Sequence, residues 1–222
     1  RIVAWLRGYE ASLGQLPGHA LAPIRAQPVP ELIQARRRET GIVPIEAFVA
    51  PELLAGKSGS NRHPHRPRIE ASTDHHAILS WLATKSGSPN TERAYRKEAE
   101  RLLLWAILER RKALSDLSVD DCAAYRDWLS MLGRVTVDQW PYNIAQNAWI
   151  GKRNTPRFSP NWRPFDGPLS AASVRQALTI LSSLFEWLVS VQYCAFNPWA
   201  AVGKKLAPRD DMPEDIELTR VF

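Results

Sequence analysis

The chain has 222 residues, 45% of them apolar, enough to bury a core in one large domain or two smaller ones. Its formal charge of +6 favours an anionic partner such as nucleic acid, although a soluble basic protein without such a partner has the same balance. No apolar run reaches the roughly 20 residues of a membrane span. No signal peptide is visible, and Cys122 and Cys194 fall inside apolar helical patterns as reduced thiols, so a cytoplasmic protein is expected.

Residues 1–55 read as helical pieces. "RIVAWLRGYEASLG" puts Ile2, Trp5, Leu6 and Tyr9 on one face, and Gly14 ends it. Prolines at 17, 23, 28 and 30 forbid one long helix. "PELIQARRRETG" starts on Pro30 and stops at Gly41, and "IEAFVAPELLAG" is a third short segment broken by Pro51. "GKSGSNRHPHRPR" has the composition of a linker, and a domain boundary is expected across residues 56–71. His63 and His65 have no further ligand at metal spacing, so no metal or other cofactor is implied.

Four longer helices follow, which makes the chain all-α. The first, "STDHHAILSWLATKSG", is capped by Ser72 or Thr73 and turns Ile78, Trp81 and Leu82 inward. The second, "SPNTERAYRKEAERLLLWA", is capped by Ser88 with Pro89 at the first helical position, Asn90 being the alternative cap. Its stripe is Tyr95, Ala99, Leu102, Leu103 and Ala106. Ser118 caps the third, in which Cys122, Tyr125, Trp128, Leu129 and Leu132 face inward. Ser170 caps the fourth, which buries Val174, Ala177, Leu178, Leu181, Phe185 and Leu188 and is stopped by Asn197-Pro198. Residues 134–168 connect the last two helices, and their tryptophans argue for an ordered excursion with a helix around 139–150.

No catalytic constellation stands out: there is no Gly-rich phosphate loop, metal-ligand pattern or nucleophile motif. Basic residues are more informative. The second helix carries Arg93, Arg96, Lys97 and Arg101 off its stripe, near an N-terminus that the helix dipole already makes positive. Either Glu92 and Glu98 offset that charge or an outside anion sits nearby. Residues 151–165 hold Lys152, Arg153, Arg157 and Arg163 with no acid among them, mixed with Asn and Thr that suit phosphate oxygens. The exposed face of the fourth helix offers Ser173, Arg175, Gln176 and Thr179, a set that suits a duplex groove and also suits water.

In this order, "SPNTERAYRKEAERLLLW", "LSDLSVDDCAAYRDWLSML" and "LSAASVRQALTILSSLFEWLVSVQYCAFNPW" resemble the core-binding domain of the tyrosine recombinase, or phage integrase, family. The matching positions are Thr91, Tyr95, Trp105, Leu117, Asp121, Tyr125, Leu129, Ser173, Leu181, Phe185, Trp187, Asn197 and Pro198. The connection at 134–168 is far longer than the family's usual one. The resemblance implies a helical core-binding domain over 72–202 that clamps double-stranded DNA and self-associates on it. Residues 1–55 would end an extra N-terminal domain, and 203–222 would lead into a catalytic domain beyond Phe222. The missing initiator Met points the same way, to a piece of a longer protein. No catalytic residue is assigned to this chain, and no membrane or small-molecule substrate is implied. The expected DNA contacts are Thr91, Arg93, Arg96 and Lys97, then Lys152, Arg153 and Arg157, then Ser173, Arg175, Gln176 and Thr179.

A competing reading is a helical protein-interaction or oligomerisation module. Nine tryptophans is a high count, and exposed ones at 140, 149 or 162 would anchor a partner.

Overall fold

The computed structural model describes residues 41–85 and 87–203. The helical pieces expected before residue 41 and the linker expected after 203 lie outside these residues. The fold is all-α, and the described residues form no sheet, only two isolated bridges. Its helices are α1 (Asp74–Ala83), α2 (Pro89–Leu108), α3 (Val119–Met131), the short α4 (Gln146–Trp149) and α5 (Ala171–Ser190).

Each long helix begins where a hydroxyl can hold one of the free backbone N–H groups of the first turn, here that of the third helical residue. Thr73 caps α1, Ser88 caps α2 with Pro89 behind it, and Ser170 caps α5. Ser118 caps α3 in a reciprocal box with Asp121. Asp121 also takes Lys112 at 2.6 Å and Arg110. Burial pulls its carboxyl upward, but Lys112, Ser118 and Arg110 outweigh that and hold it far below the ordinary range.

α2 is the central rod. It packs on α1 and α5, and α3 packs on α5. From Glu98 to Ile107 every residue of α2 is buried, including Glu98, Glu100 and Arg101. An amphipathic stripe does not produce that. Two other pieces of chain cover the polar side.

One is the strap formed by residues 41–71. Ile42, Val43, Ile45 and Phe48 belong to the same apolar core as the helices. The helix expected over "IEAFVAPELLAG" is reduced to a turn and a single 3-10 turn at Glu52–Leu54. The stretch expected to be a linker is tied down along its length. Asn61 N–H donates to the Ser115 carbonyl (2.8 Å), His63 N–H to that of Tyr193 (3.1 Å) and Arg68 N–H to that of Val191 (2.8 Å). Its Gly, Ser and Pro content permits tight turns, which is as useful in a bound strap as in a free linker.

Asp74 is the knot under the strap. Its buried carboxylate accepts the Ser115 N–H (2.9 Å), the Ser115 hydroxyl (3.1 Å) and the Tyr193 hydroxyl (2.8 Å). Burial pushes its carboxyl upward even so. Gly56 passes so close that a Cβ there would stand 2.1 Å from the Asp74 carboxyl carbon, and its φ is +78°. Only glycine meets both conditions.

The other covering piece is the 134–168 excursion. It docks on Trp128 of α3, whose ring lies 5.0 Å from Trp149 and 5.6 Å from Phe165, edge to face in both cases. The helix expected around 139–150 is only the one turn of α4. Cys122 and Cys194 are free and buried, and burial pushes both thiols up, Cys194 to about 12. No described helix is long and apolar enough to cross a membrane.

Replacing Asp74 with Ala orphans three buried donors and is expected to destabilise the protein by about 3 kcal/mol. Asp74→Asn keeps one acceptor and is expected to cost about 1 kcal/mol. Denaturant unfolding measures both, and faster amide exchange at Asn61 and His63 reports the loosened strap.

Candidate nucleic-acid interface

The N-terminal half of α2 and the excursion form the walls of two adjoining clefts. The larger, about 490 Å³, is lined by Pro89, Glu92, Arg93, Arg96, Lys97, Glu100, Arg157, Trp162 and Pro164. The smaller, about 210 Å³, takes in Lys97, Arg101, Lys152, Asn154, Thr155 and Arg163, and shares Trp162 and Pro164 with the first. The two cationic stretches noted in the sequence therefore meet on one face.

The excursion's outer part, residues 151–164, is a closed loop. Gly151 N–H donates to the Phe165 carbonyl at 2.7 Å, and Phe165 N–H to that of Trp149 at 3.1 Å. These two bonds pinch the loop at its root, as in compact Ω-loops. Inside it, Arg101 reaches from α2 to the Pro164 carbonyl (2.9 Å) and lies over the Phe165 ring at 4.0 Å. Trp162 of the loop is buried, with its edge on both clefts.

Not every cation on this face is available. Arg157 grips Glu46 of the strap through Nε and Nη2 and also pairs with Glu100. Arg96 pairs with Glu92 one turn back and reaches Glu46 at 3.2 Å. Burial raises the Glu46 carboxyl, but the adjacent guanidiniums outweigh it and leave the group below its ordinary value. Glu100 behaves oppositely: burial dominates and its carboxyl is raised, even with Arg157 and the Ile45 N–H (2.7 Å) beside it. Arg101 is buried against Glu98 at 2.9 Å, Lys97 lies 3.5 Å from the same carboxylate, and Arg153 faces Asp166 at 3.4 Å.

On this face eight cations (Arg93, Arg96, Lys97, Arg101, Lys152, Arg153, Arg157, Arg163) meet five carboxylates (Glu46, Glu92, Glu98, Glu100, Asp166), an excess of three. The Arg93 guanidinium and the Lys152 ammonium belong to exposed residues and meet no acid among the described residues. Arg163 donates to the Trp162 carbonyl at 2.9 Å and meets no acid among the described residues.

Two residues of the expected contact set already have partners within the protein. The guanidiniums of Arg96 and Arg157 pair with carboxylates that tie strap, helix and loop together. The sequence hinted at this for Glu92–Arg96 through its spacing of four. It had no means of supplying Glu46 or Glu100 for Arg157. The hydroxyl of Thr91 rests on the Ser88 hydroxyl at 3.1 Å.

Ser173, Arg175, Gln176 and Thr179 are exposed along α5, as read from the sequence, but none of them lines either cleft. Two of their hydroxyls are used locally: Ser173 meets Ser170 at 3.0 Å, and Thr179 bonds back to the Arg175 carbonyl at 3.0 Å. The tryptophans required by the competing reading are packed away. Trp149 and Trp162 are buried, and half-buried Trp140 donates its indole N–H to the Ile144 carbonyl at 2.8 Å.

No protein-family model, curated protein or solved structure matches the chain.

Arg157→Ala leaves the Glu100 carboxylate buried without its guanidinium. At neutral pH the expected loss is about 2 kcal/mol, below the range for a fully buried pair because Arg157 is partly exposed. The sign with pH follows from the raised Glu100 carboxyl, which the substitution raises further. The folded state then holds a proton that the unfolded chain releases above its ordinary value of 4.5. The deficit is therefore expected to shrink as pH falls from neutral toward that value, and unfolding curves across this range measure it.

Proposed function

We propose that this chain is the DNA-binding part of a site-specific tyrosine recombinase, gripping duplex DNA with the face shared by α2 and the 151–164 loop. The observation that carries this reading is the convergence of two sequence-distant cationic stretches on one face, around two adjoining clefts, with the Arg93 and Lys152 side chains left uncommitted. Lys97 adds a half-exposed ammonium between them. Such a face attracts a polyanion over a Debye length and positions it without reading its sequence.

The recombinase part rests on the resemblance of the sequence pattern, and the roles of its residues are compatible with that pattern. Trp105, Leu117, Tyr125, Leu129, Leu181 and Phe185 lie in the core. Asp121 and Asn197 serve as caps. These residues specify an architecture, and the DNA reading therefore stands on the cationic face. In this reading strand cleavage belongs to another part of the same protein. The interaction-module reading is weaker because Trp149 and Trp162 of the excursion are buried.

Binding to a duplex of arbitrary sequence tests the reading. With about four phosphates neutralised, log affinity is expected to fall with log salt at a slope of about −3 to −4. Arg93→Ala and Lys152→Ala are each expected to reduce that slope by about one without changing thermal stability. Arg175→Ala does the same if α5 touches the same duplex. Salt-insensitive self-association with no retention on DNA would favour the interaction module instead.

A further inference from the structure

Phe158 is the exposed aromatic that this cationic loop carries, with 54% of its surface open to solvent. Scattered exposed apolar residues need no explanation in general. The setting of this one is unusual. It sits in a turn closed by the Ser159 N–H donating to the Pro156 carbonyl at 2.9 Å, so Arg157 and Phe158 occupy its two corners. Arg157 points inward and is held by Glu46 and Glu100. Phe158, the next residue, is left outward on a backbone that its neighbour's ion pairs hold in place. The loop root is pinched by the backbone bonds at Gly151 and Phe165. Exposed Lys152, Arg153 and Asn161 share the loop with the ring.

A rigidly displayed aromatic ring among cations and amides matches the chemistry of a base stack flanked by phosphates. The cations hold the backbone, and the ring offers a face or an edge to the bases. Its display is already ordered, so binding does not have to arrest a mobile loop. We propose that Phe158 is a wedge that enters a base step of the bound duplex, unstacking and unwinding it locally. This rests on the DNA reading above and adds a base-contacting residue that the charge pattern alone does not specify.

The test is plasmid unwinding, which needs no knowledge of a target sequence. Circular plasmid is relaxed by a type I topoisomerase at low salt with saturating protein, then stripped of protein and resolved by gel. Wild type is expected to shift the topoisomer distribution. Phe158→Ala is expected to bind the plasmid more weakly, by about ten-fold, and, at a protein concentration that still saturates the plasmid, to lose most of the shift, as removal of an intercalating side chain requires. Phe158→Trp is expected to keep the shift. Equal shifts from wild type and Phe158→Ala, or no shift from bound wild type, overturn the wedge and leave the DNA reading standing. No binding of wild type to plasmid at low salt overturns both.

Discussion

The Glu100 carboxylate is where three pieces of chain distant in sequence meet. It lies on α2, accepts the Ile45 N–H from the strap, and pairs with Arg157 from the excursion. A buried charge with fewer partners would be strongly unfavourable, so the strap and the loop have to be placed together. Arg157 then reaches on to Glu46, which returns to α2 through Arg96. The resulting ring of alternating charge closes the polar side of α2 much as the apolar core closes its other side. It also sets the shape of the larger cleft, since Arg96, Glu100 and Arg157 all line it.

This arrangement divides the cations into two jobs. Those facing carboxylates hold the fold, and those left over face solvent. Arg93 and Lys152 fall in the second group, and Lys97 stands between the groups. A face with many arginines can therefore have a modest effective charge, and counting basic residues overstates what a polyanion would meet. The opening of α2 is the clearest case. Its dipole, Arg93, Arg96 and Lys97 concentrate positive charge, and Glu92 together with Glu46 neutralises part of it.

Beneath the charged ring, Trp128 organises the excursion. Its ring neighbours are Trp105 and Tyr125 from the helical core and Trp140, Trp149 and Phe165 from the excursion. A single buried indole thus joins a helical bundle to a 35-residue connection that contains only one helical turn. That explains how so irregular a segment keeps its shape: its aromatic residues are spent on anchorage. Phe158 is different, because it lies in the turn beyond those anchors and stays exposed.

The four long helices, their Ser and Thr caps and the inward residues of α3 and α5 were legible in the sequence. These features depend on local chemistry: a hydroxyl at a helix start, and apolar spacing of three and four. Even the cationic composition of 151–165 was visible. The binding of the strap, the burial of Glu98, Glu100 and Arg101, and the pairing of Arg157 with Glu46 were not. Periodicity describes one helix against an unspecified core, so a polar face reads as solvated until something covers it. Which residues cover α2 depends on chain segments more than fifty residues away along the sequence, and only their three-dimensional packing decides which charges are neutralised and which stay free to act.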